Sequence, residues 1–185
     1  MRTISSATAK LSDPEIRCFL GCHIPYRLEF LRRGIALASN AGMRDPALVE
    51  AALMAGRQLI QFLGLGIEFR GKQGPFLKPY TKYKPFGKGD DRCFEVKIVN
   101  LGGDFQNIKE PDEERILAEF VYAADKASAH LSQASNHKLW DNGGQVFFRG
   151  CEIIMRLVSE ACAVAESKLP SRPKLATLGN GLATS

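Results

Sequence analysis

The sequence predicts a mainly α fold, a four-helix bundle with a long basic, partly β insertion between helices two and three. The first observation behind this prediction is that apolar residues recur every three or four positions in four separate stretches. The second is that prolines, glycines and lysines break this pattern over residues 64–110. We expect a single domain over residues 1–170, with the insertion at 64–110, and a flexible tail at 171–185.

The first helix begins at Ser12-Asp13-Pro14-Glu15, where a capping side chain, a proline suited to the first turn and an acidic residue follow one another. Pro25 lies inside the helical pattern, lacks an N–H and crowds the preceding turn, so we expect a kink or a restart there. Asn40-Ala41-Gly42 is typical of a helix end.

The second helix begins at Asp45-Pro46 in the same way and ends at Gly64 and Gly66. Gly56 lies in the middle of this helix, where glycine costs up to about 1 kcal/mol relative to alanine. We therefore expect another part of the chain to approach the backbone closely at Gly56.

Within the insertion, Phe94, Val96 and Ile98 alternate with Glu95 and Lys97, a pattern that predicts a strand. Residues 67–70 are the hairpin partner that we expect for it. An isolated two-stranded ribbon is marginally stable, so it should lean on the helices or on another subunit.

The third helix is predicted over residues 111–135, because Pro111 and three acidic residues open it and alanines line its apolar face. The last helix runs from about Gln145 to Lys168, and Pro170 ends it. Since the turn between the two helices is short, we expect them to pack as an antiparallel pair.

The net positive charge of the chain lies in one segment, residues 70–92. Seven Lys or Arg and two Asp give this segment a charge of +5, which equals the formal charge of the whole chain. Aromatic residues alternate with its lysines, and three prolines prevent a helix. We refer to residues 70–92 as the basic segment.

Lysines neutralise phosphates, and aromatic rings stack on exposed bases, so the basic segment predicts contact with RNA or DNA. The predicted ligand-binding residues are Lys72, Lys78, Tyr80, Lys82, Tyr83, Lys84, Phe86 and Lys88. Two other interpretations stay open. The segment can be a solubilising loop whose rings pack on the bundle, or it can be a protein-binding surface.

Cys18 and Cys22 are four residues apart on one helical face, so two thiolates could share a metal ion. A zinc site would need two further ligands, for which the candidates are Cys93, Cys151, Cys162, His130 and His137. None of these has paired short spacing, and free cysteine is usually buried. We therefore expect buried thiols, no metal and no cofactor.

Arg17 and His23 are separated by five residues, Cys-Phe-Leu-Gly-Cys. This spacing resembles the R-x(4–6)-H motif of HEPN domains, four-helix proteins that often dimerise and many of which are metal-independent ribonucleases. The resemblance implies that His23 would transfer protons and that Arg17 would stabilise negative charge at the scissile phosphate.

Several enzyme signatures are missing from the sequence, including a phosphate-binding G-x-x-x-x-G-K-[ST] loop, H-E-x-x-H and G-x-S-x-G. No apolar stretch reaches the 18–20 residues of a membrane span or resembles a secretory signal. We therefore expect a cytoplasmic, non-enzymatic, dimeric binding protein. The alternatives are a HEPN-like ribonuclease that uses Arg17 and His23, and a structural protein-interaction module.

Overall fold

Five helices, one π-helical turn, one 3-10 helix and two strands make up the part of the chain that the computed structural model describes: residues 11–39, 45–69, 74–79, 97–101, 108, 110–129 and 144–170. The helices are α1 (Asp13–Cys18), α2 (Ile24–Ser39), α3 (Pro46–Phe62), α4 (Pro111–Ala129) and α5 (Gln145–Ser167). The chain is mainly α with a small two-stranded sheet, which confirms the predicted class.

Capping side chains fix where the first two predicted helices begin. The N–H and the hydroxyl of Ser12 both donate to Glu15 Oε2, at 2.8 and 2.6 Å. Asp45 Oδ1 accepts from the N–H of Ala47 at 3.0 Å and so caps α3. Each cap satisfies backbone or side-chain groups that the first helical turn would otherwise leave without a partner.

A π-helical turn over Phe19–His23 interrupts the first predicted helix just before Pro25. Here the N–H of Ile24 donates to the carbonyl of Phe19, five residues back. In a regular helix the ring of Pro25 would press on the carbonyl of Gly21 and leave it without its N–H partner. The wider π-helical turn relieves this conflict, and α2 then continues to Ser39.

Helix α3 contacts α2, α4 and α5. Glycines allow neighbouring helices to approach one another most closely. A Cβ atom on Gly34 of α2 would lie 2.6 Å from Cβ of Ala52, and one on Gly56 of α3 would lie 2.5 Å from the ring of Phe120. The close approach predicted at Gly56 is therefore confirmed. The largest fully buried apolar side chains are Phe120, Phe147, Leu31, Leu53, Leu59, Ile60, Leu63, Ile98, Leu101 and Leu117.

The strand pairing differs from the predicted one. Strand β1 (Leu65–Phe69) pairs antiparallel with β2 (Pro75–Pro79), in a register that places Ile67 opposite Leu77. The partner of β1 is thus the beginning of the basic segment instead of residues 94–98. Leu77 is buried where β2 packs against α4, and prolines at both ends of a strand are tolerated because they lack only a ladder donor.

The prediction of a strand over residues 94–98 is wrong for its described part, because Ile98–Leu101 form a 3-10 helix. The side chain of Asn100 accepts from the N–H of Lys97 at 2.8 Å, and the N–H of Asn100 donates to the carbonyl of Lys97. Such local side-chain bonds compete with strand pairing. Lys97 is fully buried. Residues 94–96 lie outside the described ones.

Helices α4 and α5 contact each other and are joined by ion pairs across their surfaces. Asp112 Oδ2 is 3.1 Å from Arg149 Nη1, and Arg156 Nη2 donates to both carboxylate oxygens of Glu113, at 2.7 and 2.8 Å. The described part of α4 ends at Ala129, so residues 130–135 of the predicted helix lie outside it. None of the described helices is long and apolar enough to cross a membrane.

Candidate binding surface

The π-helical turn determines which side chains between Arg17 and His23 face outward. The buried stripe of this helix contains Ile16, Leu20 and Ile24, which pack into the core. Cys18, Cys22 and His23 lie off that stripe and are exposed. Because π-helical turns occur frequently at functional sites, this surface is a candidate functional site.

Arg17 reaches towards the end of α5. Its Nη2 atom donates to the carbonyl oxygen of Pro170 at 2.6 Å. Arg17 also lines a cavity of about 290 Å³, together with Leu20, Gly21, Glu166 and Leu169. Since its hydrogen-bond partner is neutral, the contact fixes the position of the guanidinium without cancelling its charge.

His23 contacts a different set of groups. Its ring lies 5.2 Å from the ring of Phe19, which in turn stacks on Phe62 at 5.8 Å. The carbonyl of His23 accepts from Arg27 Nη1 at 3.0 Å, and Arg27 Nε donates to the side chain of Gln58 at 2.8 Å. No hydrogen bond joins Arg17 to His23 within the described residues, and the guanidinium held beside the His23 backbone is that of Arg27.

An aromatic stripe on this helix is a feature that the sequence analysis did not predict. Phe19, His23, Tyr26 and Phe30 recur every three or four residues, and Tyr26 is 64% exposed. The rings of Tyr26 and Phe30 meet edge to face at 5.0 Å. The spacing of these rings in the sequence could have revealed the aromatic stripe, because the aromatic stripe runs beside the buried stripe without coinciding with it.

Of the predicted ligand-binding residues in the basic segment, the structure describes Lys78. Its ammonium lies 3.1 Å from Glu68 Oε2, so the cation has an acidic neighbour at this position. The pair forms because antiparallel pairing of β1 and β2 brings Glu68 diagonally across from Lys78. The others lie outside the described residues: Lys72, Tyr80, Lys82, Tyr83, Lys84, Phe86 and Lys88.

The cysteines fall into two groups. Cys151 is buried, and burial, with a smaller contribution from the charge of Glu152, raises the pKa of its thiol. Burial also raises the pKa of Cys162 to about 11, with the charge of Glu166 as the second cause. Cys18 and Cys22 are exposed, so the expectation of buried thiols is wrong for them.

The remaining candidates for metal ligands, Cys93, His130 and His137, lie outside the described residues. Among the residues that are described, no group of three or more His, Cys, Asp or Glu side chains is placed to hold a metal ion. The expected absence of a zinc site therefore stays a prediction for the whole chain.

No protein-family model, no curated protein and no solved structure matches this chain.

Proposed function

We propose that this is a non-enzymatic, cytoplasmic binding protein that contacts an anionic partner, RNA or DNA, through the basic segment. In this proposal the four long helices form a bundle, residues 64–110 are an insertion between its second and third helices, and two copies of the chain associate. The observation that carries the proposal is the distribution of charge over the chain.

Ion pairs neutralise much of the positive charge on the helices. Arg115 and Arg149 contact Asp112, Arg156 contacts Glu113, and Arg57 contacts Asp125. All the arginines of α3, α4 and α5 take part in these pairs. The charge of +5 that remains for the chain is the charge of the basic segment, so a polyanion approaching the protein is attracted to that segment first.

The hairpin fixes one end of the basic segment to the helices. Leu77 is buried against α4, and the register of β1 and β2 sets the path of the chain up to Pro79. A segment that starts from a fixed base loses less conformational freedom when it binds than a segment with two loose ends.

The ion pair of Lys78 with Glu68 is weak enough for a phosphate to replace it. The two side chains are 40% and 52% exposed. Exposed pairs of this kind contribute about 0–1 kcal/mol. Lys78 therefore stays within the proposed ligand-binding set, with a competing acid that the sequence reasoning did not foresee.

A salt titration of nucleic-acid binding tests the proposal. We would measure the affinity for single-stranded RNA and for duplex DNA by gel shift, with the triple variant K82A/K84A/K88A and the control triple variant R32A/R33A/K126A. Both variants lose three cations. We expect only the first to lose affinity and to reduce the salt slope by about two to three, because each lost phosphate contact lowers it by roughly 0.7–0.9.

Absence of binding at low salt would end the proposal, and so would equal losses in the two triple variants. If light scattering instead shows that deleting residues 80–92 abolishes self-association, the basic segment is a protein interface, which is the structural alternative.

The exposure of His23 favours a second candidate function, that of a metal-independent ribonuclease. His23 has an exposed imidazole, and its backbone carbonyl accepts from Arg27, so a phosphodiester bound here could exchange protons with the imidazole. In this candidate Arg17 acts from its position at Pro170, or from a second copy of the chain. RNA cleavage in the presence of a chelator, compared among the wild type, His23→Ala, Arg17→Ala and Arg27→Ala, tests it. Undiminished cleavage by His23→Ala excludes His23 from the reaction.

A further inference from the structure

A small cavity is lined on one side by the first helical stretch and on the other side by the end of α5. Its volume is about 290 Å³, and its lining residues are Arg17, Leu20, Gly21, Glu166 and Leu169. Small-molecule sites usually enclose roughly 300–1,000 Å³, so this cavity fits a ligand at the lower end of that range. The lining combines one cation, one anion and apolar surface, and this combination restricts the chemistry of the ligand.

The two charged residues of this cavity are not paired with each other. Arg17 and Glu166 both belong to the described residues, and no ion pair joins them, although both line the same cavity. Opposite charges that share a cavity without forming an ion pair leave room for a molecule that contacts both. Such a molecule carries a negative group for Arg17 and a positive group for Glu166.

The guanidinium of Arg17 is held in place before any ligand binds. Its Nη2 atom donates to the carbonyl of Pro170 at 2.6 Å, and the residue is half-buried. Arginine carries five N–H donors in a planar fork, of which this bond uses one. The fork matches the two oxygens of a carboxylate, and a donor whose position is already fixed loses little conformational freedom on binding.

The rest of the lining is apolar and leaves space for a side chain of the ligand. Leu20 is buried and Leu169 packs against the core, so both present apolar surface in fixed positions. Gly21 provides the space, because a Cβ atom built there would meet no other atom within 4 Å. A ligand with an aliphatic body would therefore bury apolar surface against the two leucines.

We propose that this cavity binds a free α-amino acid with an aliphatic side chain. The carboxylate of the amino acid binds the guanidinium of Arg17, its ammonium binds the carboxylate of Glu166, and its side chain packs on Leu20 and Leu169. The carboxyl and amino groups of such a ligand are both ionised at neutral pH, so binding involves no covalent step. The site does not include the basic segment, so it is independent of nucleic-acid binding.

Isothermal titration calorimetry on the full-length protein tests the site, with L-leucine as the probe. Two analogues each lack one charge of leucine: 4-methylpentanoate lacks the ammonium, and 3-methylbutylamine lacks the carboxylate. We expect one leucine to bind per chain and each analogue to bind about tenfold more weakly or worse, because hydrogen bonds between charged groups are stronger than those between neutral groups.

Single substitutions assign each charge of the ligand to its residue. Glu166→Gln should no longer distinguish leucine from 4-methylpentanoate, because the ammonium has lost its partner. Arg17→Ala should likewise no longer distinguish leucine from 3-methylbutylamine. The control variants Glu152→Gln and Arg32→Ala remove the same charges from exposed positions elsewhere, and they should bind leucine as the wild type does.

Gly21→Leu fills the cavity but removes neither a charge nor the bond to Pro170, so it should abolish binding in a chain that circular dichroism shows to be folded. The proposal is overturned if leucine does not bind the wild type, or if folded Gly21→Leu binds leucine as tightly as the wild type does. It is equally overturned if both analogues bind as tightly as leucine, or if Glu166→Gln and Glu152→Gln lose the same affinity. None of these outcomes depends on Arg17→Ala, which also loses its bond to Pro170.

Discussion

The ring of Phe120 lies directly over the backbone of Gly56, with no room for a methyl group between them. A Cβ atom built on Gly56 would lie 2.5 Å from one ring carbon of Phe120 and 2.7 Å from the next. Phe120 meets Gly150 of α5 in the same way, since a Cβ there would lie 2.6 Å from its ring. One aromatic side chain of α4 thus fills the space that two glycines leave on neighbouring helices.

Replacement of Gly56 by alanine should destabilise the protein. Alanine favours the helix by up to about 1 kcal/mol, but the clash with a fully buried ring should outweigh this gain, because overpacking costs about 1–3 kcal/mol. Urea denaturation measures the change in the free energy of unfolding. Combining Gly56→Ala with Phe120→Leu should cost less than the sum of the two single changes, since the smaller side chain removes the clash.

Gly21→Ala is the matched control for that experiment. Gly21 also lies in a helical segment, but a Cβ there would meet no atom within 4 Å. We expect its replacement to leave stability unchanged or to raise it slightly. A loss of stability in Gly21→Ala as large as that in Gly56→Ala would contradict the packing argument.

The sequence predicted the features that short stretches determine. Local backbone chemistry accounts for the caps at Ser12 and Asp45, for the disturbance before Pro25 and for the close approach at Gly56. The identity of the partner at Gly56 could not be predicted, because Phe120 lies in another helix. What a residue contacts across the fold depends on packing that no local pattern encodes.

The errors have specific physical causes. Alternation over 94–98 indicated a strand, but the side chain of Asn100 closes a 3-10 turn around Lys97 instead. The partner of β1 was misassigned because burial of Leu77 on α4, a tertiary contact, decides the pairing. The exposure of Cys18 could have been inferred, since this residue lies off the buried stripe of its own helix.

Acid should weaken the ion pairs that Asp112 makes with Arg115 of α4 and with Arg149 of α5. A hydrogen bond from Arg115 is the first cause that lowers the pKa of Asp112, and Arg115 and Arg149 add their charges. Because the folded-state pKa lies below that of the unfolded chain, the stabilisation is present above about pH 4 and is lost as the pH falls through the folded-state value. We expect Asp112→Asn to reduce the drop in melting temperature between neutral and acidic pH.

Glu114→Gln controls for the loss of a negative charge in the first turn of α4. Glu114 belongs to the same acidic turn, and no ion pair holds it among the described residues. Its replacement removes the same charge near the helix dipole without removing a contact to α5. The explanation fails if both variants change the acid dependence of melting equally.

The four cysteines that the structure describes should react with alkylating reagents at very different rates. The reactive species is the thiolate, and it must be accessible. We expect Cys18 and Cys22, which are exposed, to react first. Cys162, whose burial raises its pKa to about 11, should follow, and Cys151 should react only on unfolding.

Pulsed iodoacetamide labelling followed by mass spectrometry of tryptic peptides measures these rates. Cleavage after Arg17 and Arg27 places Cys18 and Cys22 on one peptide, which fragmentation then resolves. The same experiment in urea provides the control, since all thiols should react at similar rates once the chain is unfolded. Labelling of Cys151 in the folded protein at the rate of Cys22 would be incompatible with the described packing.

The ion pair between Glu68 and Lys78 predicts that removing an acid strengthens nucleic-acid binding. Glu68 lies 3.1 Å from Lys78 and competes with any phosphate for that ammonium. In Glu68→Gln the lysine loses this competitor, so we expect tighter binding and a salt slope steeper by about one, the contribution of one phosphate contact. Fluorescence anisotropy with labelled single-stranded RNA over a range of salt concentrations measures both quantities.

Glu152→Gln makes the test specific to the hairpin, because it removes the same charge from the exposed side of α5. If long-range attraction alone governs binding, the two variants should bind alike, since their net charges are equal. If Lys78 contacts the partner, only Glu68→Gln should steepen the salt slope. The double variant, Glu68→Gln with Lys78→Ala, should then return the slope to the wild-type value or below. A slope that stays steep in that double variant would show that the gain came from the lost negative charge and that Lys78 makes no phosphate contact.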